Sequence, residues 1–456
     1  MTSSDADPHI FEAFLTPDDA MIALSPPLPW VSEGGMGFVV GLGRETLQLE
    51  AVSSGFTPQA ISVGLRDGSR ATLVGAAEWQ GPGLMTFRPD ADHSPLLDDL
   101  RGIIRKAQHI AICQTQDVEA SDRFTGFGDV SLLPEALPEL NMDELDLRTR
   151  FLGRDFDLPL LITGMTGGID EGAMINRRLA RAAARYNIPM GVGSQRIALE
   201  HPQHAAIFAV KDEVPGVFLI GNLGAAQLLN SDAPELCRRA VGMIGADALA
   251  IHLNVLQELV QVEGDRKFKG FFKIIGTVVK ALKVPVIVKE VGAGIGPEAA
   301  LRLRELGVAA IDVGGRGGTS WSHIEGLRSA DSSTRELGLS FRDWGIPTAY
   351  ALHGIKKVLP TMELVATGGI RDGLTVAKAV ALGARMCGVG LPLMRAAVAN
   401  DEAVQRVIET LARGLRIAML ASGAQDLGAL PQRVVRGLPG QAAFRRADSS
   451  GSEPWY

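Results

Sequence analysis

The stretch Ala248-Leu-Ala-Ile-His-Leu-Asn-Val-Leu-Gln-Glu258 lies near the middle of the 456-residue chain and indicates the fold. Its first four residues are apolar and predict a short strand in the core. Polar residues follow where this strand leaves the core, and their side chains can bind metal ions and move protons. In a barrel of parallel strands the carboxyl ends carry the chemistry, so the stretch predicts one strand of such a barrel. The polar residues are His252, Asn254, Gln257 and Glu258.

Seven other short apolar runs follow the same pattern, because each ends in glycine or a polar group or is followed directly by one. Eight units in which strand and helix alternate predict an α/β fold, a (β/α)8 TIM barrel, because a doubly wound sheet usually has fewer strands and a single switch point. The eight runs are Pro159–Thr163, Ile188–Val192, Val217–Gly221, Ala248–His252, Pro285–Lys289, Ala309–Val313, Glu363–Thr367 and Met386–Gly390, and helical segments between them include Asn176–Tyr186, Pro234–Ile244, Pro297–Leu306 and Leu374–Leu382.

The length leaves room for more than one barrel of about 250 residues. Residues 1–97 do not follow the barrel rhythm and predict a small β-rich appendage of unknown function. Residues 98–440 are expected to form the TIM barrel, and residues 441–456 a polar, flexible tail. The β-like runs of the appendage are Phe38–Leu42, Thr46–Val52, Ala60–Leu65 and Ala71–Val74.

Composition excludes several classes of protein. The net charge of −7 argues against non-specific binding of nucleic acid. Three cysteines without a C-x-x-C spacing indicate a reducing compartment. The polar N-terminus resembles neither a signal peptide nor a transit peptide, and no apolar run is long enough to cross a bilayer. We therefore expect a cytoplasmic protein that binds no membrane.

Small and polar residues follow most of the predicted strands and indicate a binding rim. Glycines in the loop Gly164-Met-Thr-Gly-Gly168 after the first strand would let the backbone approach a flat ring, to which Thr166 and the amides would donate hydrogen bonds. The Gly368-Gly369 turn and Gly388, which follow the last two strands, fit the phosphate cup that barrels often build there. Ordinary tight turns are the alternative at each loop. Ser194, Arg196, Asn222, Lys289 and Thr319 also follow predicted strands.

One glycine-rich loop is set apart from this rim. Val291-Gly-Ala-Gly-Ile-Gly296 follows a strand and opens a helix, as a dinucleotide-binding turn does. Its glycines do not have the G-x-G-x-x-G spacing, and no acidic residue ends a neighbouring strand of the required type. The loop therefore predicts no nucleotide site.

The chain from about Ile103 to Ser422 resembles the type 2 isopentenyl-diphosphate Δ-isomerases, which are FMN-dependent barrels. Enzymes of this family interconvert isopentenyl and dimethylallyl diphosphate. The motifs that carry the resemblance are Arg105-Lys106-x-x-His109, Thr125-Gly-Phe-x-Asp129, Met165-Thr-Gly-Gly168, Gly193-Ser-Gln-Arg196, His252-Leu-Asn-x-x-Gln-Glu258, Glu263-Gly-Asp265, Val286-Ile-Val-Lys-Glu290, Gly317-Gly-Thr319 and Trp344-Gly-Ile-Pro-Thr348.

The resemblance implies FMN, Mg²⁺ and NADPH as reductant, and it assigns a role to each candidate residue. Reduced FMN would act as acid and base, and Lys289 would stabilise its anionic form. Glu258 would bind Mg²⁺ together with the substrate diphosphate. A homo-oligomer, tetramer or octamer, is also implied. The implied catalytic residues are Gln257, Glu258 and Lys289; substrate would contact Arg105, Lys106, Arg196, His252, Asn254 and Gln257; FMN would contact Met165, Thr166, Ser194, Asn222, Lys289, Thr319, Gly368, Gly369 and Gly388.

The sequence leaves two alternative functions open and differs from the family in one respect. Another FMN barrel oxidoreductase would share the phosphate cup, but it needs a His-Arg pair or a nucleophilic cysteine that the sequence does not show where required. A non-catalytic flavin-binding protein would not need the implied diphosphate and metal residues. The family's Arg-Lys tract normally lies near the chain start, whereas about 97 residues precede it here. Whether longer prenyl diphosphates are accepted is left open by the sequence.

Overall fold

The computed structural model describes residues 105–106, 108–165, 170–229, 231–329 and 331–434, together with six strands between residues 22 and 89. The chain divides into two compact units. One comprises Met1–Gln108 and Leu327–Glu336, and the other comprises His109–Gly326 and Leu337–Tyr456. The predicted tail at residues 441–456 lies outside the described residues, and the predicted boundaries at residues 97 and 440 stay predictions.

The first unit contains a closed barrel of antiparallel strands in the order β1-β2-β3-β6-β5-β4. Four of these strands coincide with β-like runs in the sequence, whereas β1 and β6 were not predicted. The pairing of β1 with β2 shifts in register between Ala23 and Leu28. The strands are β1 (Ile22–Ser32), β2 (Gly35–Leu42), β3 (Leu47–Ala51), β4 (Ala60–Gly64), β5 (Arg70–Gly81) and β6 (Leu84–Pro89).

The second unit contains a closed barrel of eight parallel strands, which confirms the predicted TIM barrel. Every predicted run contributes one strand, and β9 closes the barrel by pairing with both β10 and β16. The strands are β9 (Leu160–Ile162), β10 (Met190–Gly191), β11 (Leu219–Gly224), β12 (Ala248–Leu253), β13 (Val286–Glu290), β14 (Ala310–Asp312), β15 (Glu363–Thr367) and β16 (Met386–Val389).

Helices alternate with these strands, and further helices follow the last strand. Among the helices that the structure describes, none combines the length and apolar character needed to cross a membrane. Residues 105–106 and 108–115 are also helical. The α-helices whose two ends both lie in the described part of the chain are α1 (Asp170–Arg185), α2 (Arg196–Glu200), α3 (Ala225–Leu228), α4 (Ala233–Ile244), α5 (Val255–Val260), α6 (Phe271–Ala281), α7 (Pro297–Glu305), α8 (Trp321–Arg328), α9 (Ser332–Ser340), α10 (Thr348–Val358), α11 (Gly373–Ala381), α12 (Leu391–Ala399) and α13 (Asp401–Ala421).

A short hairpin fills the barrel beside the beginnings of the strands. Its strands β7 (Thr149–Phe151) and β8 (Arg154–Phe156) each contribute one fully buried phenylalanine to the core. Phe156 meets Phe218 edge to face, with ring centroids 5.4 Å apart. Burial of one such ring stabilises the fold by roughly 1.5–3 kcal/mol. Because this packing fills the barrel near the strand beginnings, the strand ends are left as the place for a pocket.

Arg178 on α1, near the amino end of the parallel barrel, contacts α12, which follows its last strand. Its guanidinium donates to the carbonyls of Ala397 and Val398 at 2.7 and 2.9 Å, at the carboxyl end of α12. A cation at this end satisfies helix carbonyls and interacts favourably with the helix dipole. We expect Arg178→Met to lower the free energy of unfolding by about 1–3 kcal/mol, measured by urea denaturation.

Arg177 supplies the matched control for this substitution. It is the preceding residue on α1, and its side chain is 49% exposed in an ion pair with Glu213. Surface ion pairs of this kind contribute about 0–1 kcal/mol, so Arg177→Met should change stability little. Equal losses in the two variants would show that the contact between α1 and α12 is not what stabilises the barrel.

Candidate active site

A pocket lies at the carboxyl ends of the barrel strands. Its floor is apolar and belongs to the barrel core, whereas its rim carries polar side chains and glycines. The rim is the end at which TIM barrels place their chemistry. The residues that line the pocket are Leu161, Thr163, Gly164, Gly191, Val192, Ile220, Gly221, Asn222, Ala250, Ile287, Lys289, Asp312 and Val365.

Asn222 and His252 are held together at the ends of neighbouring strands. The Asn222 Oδ1 and His252 Nδ1 atoms are 2.8 Å apart. The backbone of Asn222 is fixed in turn by the fully buried Gln195, whose Oε1 accepts its N–H at 2.9 Å. The Asn222 side-chain amide also donates to the Val192 carbonyl at 3.0 Å. This network fixes the orientation of both side chains.

The polar cluster after β12 is organised by the start of α5. Asn254 precedes the first residue of this helix, so Gln257 and Glu258 stand one turn later on the same side. The Asn254 Nδ2 atom donates to Glu258 Oε1 at 2.8 Å and to Gln257 Oε1 at 3.3 Å. The other Glu258 oxygen accepts the N–H of Asp265 at 2.9 Å. The three predicted residues are therefore brought together.

Glu325 extends this cluster and was not among the candidates from the sequence. It lies on α8, is 1% exposed, and its Oε1 accepts from Gln257 Nε2 at 2.8 Å. The same oxygen lies 3.0 Å from His109 Nε2. The His109 ring also packs edge to face on Trp321, at 5.3 Å between centroids. Glu325 is the central acceptor of a buried chain that holds the Gln257 amide.

Lys289 and Asp312 form the charged part of the pocket. Their exposed fractions are 8% and 4%, so both charges are largely removed from water. Burial raises the pKa of Asp312, while the positive charge of Lys289 acts in the opposite direction. The Lys289 Nζ atom donates to the backbone carbonyl of Glu290 at 2.8 Å. The pocket thus presents a buried ammonium group whose direction is fixed by a backbone acceptor.

Glycine loops meet closely on the side of β14 and β15. A Cβ atom on Gly368 would lie 2.1 Å from the Gly315 carbonyl oxygen, so no other residue fits there without movement. Thr348 Oγ1 donates to the Gly368 carbonyl at 2.8 Å. The backbone of Ala120 donates to the Gly318 carbonyl at 2.9 Å. These loops form a rim of closely packed backbone, of the kind that can approach a phosphate.

The other predicted FMN contacts lie around this rim. Met165 is half-buried, and its sulfur would be 2.5 Å from a Cβ atom placed on Gly390. Thr319 is bridged to Glu119, Ser194 is half-buried after β10, and Gly388 lies in β16 beside Thr367. Thr166 lies outside the described residues. The assignment of these residues to FMN stays a prediction.

The predicted diphosphate contacts are less well defined. Arg196 starts α2 with a side chain that is 46% exposed and pairs with Glu200 at 2.8 Å. Arg105 and Lys106 are helical and half-buried, and they belong to the other compact unit. Within the described ranges, no three or more His, Cys, Asp or Glu side chains form a cluster that could hold a metal ion. The assignment of Glu258 to Mg²⁺ stays a prediction.

Comparison with known proteins identifies close relatives over most of the chain. The chain is 46% identical over 326 residues to an isopentenyl-diphosphate delta-isomerase of Synechococcus sp., covering 72% of this chain and 94% of the relative. It is 44% identical over 356 residues to the enzyme of that name from Pyrococcus abyssi, covering 76% and 96%. A relative of the same name from Stutzerimonas stutzeri is 45% identical over 331 residues, covering 72% and 96%.

Two further comparisons agree with the barrel. The family model of FMN-dependent dehydrogenases matches residues 255–437. A solved structure of a mandelate oxidase mutant with benzaldehyde is 22% identical and covers 75% of this chain and 97% of its own, with a TM-score of 0.51. At this identity the solved structure shows the fold alone. From the identity and coverage of the curated relatives, the chain belongs to the isopentenyl-diphosphate isomerases, in the type 2, FMN-dependent family.

Proposed function

We propose that the protein is an isopentenyl-diphosphate Δ-isomerase that converts isopentenyl diphosphate into dimethylallyl diphosphate. It would use reduced FMN, Mg²⁺ on the diphosphate, and NADPH as the source of electrons for FMN. The observation that carries the proposal is the cluster of Asn254, Gln257 and Glu258, fixed by mutual hydrogen bonds at the end of β12. The names of curated relatives that align over nearly their whole length support the same reaction.

The residues at the pocket fit FMN. The packed glycine loops leave backbone rather than side chains where a phosphate would bind, and a buried ammonium group lines the pocket. Bound reduced FMN would supply the acid and base for the proton transfers, along with an electron-rich ring beside the developing cation. Lys289 would hold a fixed positive charge against an anionic ring, where low dielectric strengthens the interaction. Asn222 and His252 would set one wall of the ring site.

Moving the double bond requires a proton on one carbon and removal of another proton two bonds away. The Gln257 amide is held at both ends, by Asn254 on its oxygen and by Glu325 on its nitrogen. A fixed amide can orient the carbon skeleton between the positions that gain and lose a proton. Such positioning lowers the entropic part of the barrier without a strongly basic side chain.

The diphosphate end of the substrate would be held by Mg²⁺ and by basic and polar side chains. Mg²⁺ prefers carboxylate and phosphate oxygens and usually takes only one or two protein carboxylates beside a phosphate substrate. Glu258 suits this role, because its carboxylate is already directed by Asn254 and by the Asp265 backbone. Arg196, His252 and Asn254 are proposed to contact the diphosphate, and the family resemblance gives Arg105 and Lys106 the same role. A homo-oligomer, tetramer or octamer, is proposed from the family.

The cysteines argue against an oxidoreductase that uses a thiol nucleophile. Cys113, Cys237 and Cys387 are all buried. Burial raises the pKa of the Cys113 and Cys237 thiols to about 12 and also raises the pKa of Cys387. A reactive cysteine needs the opposite shift, toward the thiolate at neutral pH. Turnover distinguishes the isomerase from the alternative of a non-catalytic flavin-binding protein.

The proposal is tested with the purified full chain, FMN, NADPH, Mg²⁺ and isopentenyl diphosphate under anaerobic conditions. We expect dimethylallyl diphosphate to form only after flavin reduction, and Gln257→Ala and Glu258→Ala to lower kcat/KM by about 100-fold or more. Glu305→Ala, an exposed residue on α7, is the control and should keep full activity. Flavin binding without product in the unsubstituted protein would favour the non-catalytic reading instead.

A further inference from the structure

The loop after β13 contains an anion-binding turn that the chain fills with its own carboxylate. Four consecutive backbone N–H groups point at one oxygen, Glu290 Oε2. Those of Val291 and Gly292 lie 2.7 Å away, that of Gly294 lies 3.0 Å away, and that of Ala293 also donates. Converging backbone N–H groups form a recognised anion site in proteins. Here the anion is built into the sequence directly before the loop.

Apart from these hydrogen bonds, the buried environment of Glu290 is unfavourable for a charged carboxylate. The residue is 8% exposed, and burial raises the pKa of its carboxyl while the four N–H groups act in the opposite direction. An unpaired buried carboxylate would be costly, whereas one that accepts several hydrogen bonds is tolerated. The arrangement therefore fixes the loop and the carboxylate together.

The backbone of the same residue holds Lys289. The Lys289 Nζ atom donates to the Glu290 carbonyl oxygen at 2.8 Å, and Lys289 lines the pocket. Neighbouring elements also contact the loop. The Ile346 N–H donates to the Ala293 carbonyl at 2.9 Å, and the Gly294 N–H is shared between Glu290 Oε2 and the Gly314 carbonyl, which lies 2.9 Å away. The direction of the Glu290 carbonyl thus depends on how the loop leaves β13.

We propose that Glu290 is a positioning residue for Lys289, whose carboxylate fixes the loop after β13 and so holds the carbonyl that directs the Lys289 ammonium group into the pocket. That the ammonium group serves a bound flavin rests on the proposed function. The link between Glu290 and Lys289 does not, because it rests on contacts within the chain. The two can therefore be tested separately.

The link is tested by acetylation of lysines in the full-length protein without added FMN. Acetic anhydride labelling is followed by mass spectrometry, and the rate at Lys289 is divided by the rate at Lys280 on α6 in the same sample. In Glu290→Ala the loop is no longer fixed by the carboxylate, so we expect the hydrogen bond from Lys289 Nζ to the residue 290 carbonyl to be lost. The relative rate of acetylation at Lys289 should then rise about tenfold, as expected for one hydrogen bond to a charged group. Glu290→Gln, which keeps an acceptor oxygen, should rise less.

The flavin-dependent part is tested by the midpoint potential of bound FMN. Lys289→Met should lower the potential, because a positive charge that favours the anionic reduced ring is lost. Glu290→Gln should move it in the same direction, and it should add nothing further in the Lys289→Met background. Glu298→Gln, which removes a carboxylate at the start of α7, is the control and should leave both the potential and the labelling unchanged.

The possible outcomes distinguish the positioning role of Glu290 from the proposed isomerase function. Unchanged Lys289 labelling in both Glu290 variants, with melting temperatures near that of the unsubstituted protein, would overturn the positioning role. Additive shifts of the potential in the double variant would also overturn it, because Glu290 would then act independently of Lys289. If Glu290→Ala does not fold, the Glu290→Gln labelling decides the question. Absence of isomerisation by the unsubstituted protein would refute only the proposed function.

Discussion

Glu325→Leu is expected to lower kcat by about 10²- to 10³-fold, which corresponds to roughly 3–4 kcal/mol of lost transition-state stabilisation. The carboxylate accepts from Gln257 at 2.8 Å and lies 3.0 Å from the His109 ring nitrogen. Leucine cannot accept from the Gln257 amide, and an unsatisfied buried donor costs about 1–3 kcal/mol. The Gln257 amide would then rotate or draw in water, and the orientation of the substrate would be lost. Steady-state kinetics with reduced FMN measure the effect.

Glu325→Gln distinguishes orientation from general damage to the fold. Glutamine keeps an oxygen that can accept from Gln257, so this variant should retain considerably more activity than the leucine variant. Because Glu325 is 1% exposed, thermal unfolding of both variants must be measured alongside. If Glu325→Leu loses stability but keeps kcat, the chain of hydrogen bonds does not position Gln257 for catalysis.

Gly368→Ala is expected to weaken FMN binding by about 10- to 100-fold. Gly368 has a φ of 116°, and a Cβ atom there would lie 2.1 Å from the Gly315 carbonyl oxygen. A residue other than glycine in such a conformation costs roughly 1–3 kcal/mol. The loop can relieve this strain only by moving away from Gly315, which would open the rim proposed to hold the phosphate. Fluorescence titration of the protein with FMN gives the dissociation constant.

Gly216→Ala is the control for this substitution. Gly216 lies outside the pocket, and a Cβ atom placed on it meets nothing within 4 Å. It should bind FMN as tightly as the unsubstituted protein does. Equal affinities for the Gly368 and Gly216 variants would mean that FMN phosphate is held somewhere else on the rim.

The eight barrel strands could be predicted because each is a buried apolar run that ends in glycine or a polar residue or is followed directly by one. In a parallel sheet covered on both faces, this pattern is continuous and easy to recognise. In the first unit, β1 was missed because Pro26, Pro27 and Pro29 interrupt its sequence, and proline normally excludes a strand interior. The structure accommodates two of these prolines at the register shift between Ala23 and Leu28.

The candidate site was only partly predictable, because some of its residues lie far apart in the sequence. Asn254, Gln257 and Glu258 share a short motif, and the start of α5 brings them together. Glu325 is 68 residues from Gln257, and nothing in the sequence around it resembles a catalytic motif. Glu325 comes near Gln257 because β12 and β14, the strands that precede α5 and α8, both pair with β13. Contacts of this kind become visible once tertiary structure is known.

The closure of the barrel by β9 also has a consequence for how the chain is made. Ile162 on β9 lies opposite Met190 on one side and Val389 on the other. During synthesis the chain emerges from its amino end, so β9 has no second neighbour until the residues of β16 have left the ribosome. Until then its free edge can pair with other chains. We therefore expect truncation before residue 386 to yield aggregation-prone protein, even though all the residues that line the pocket would already be present.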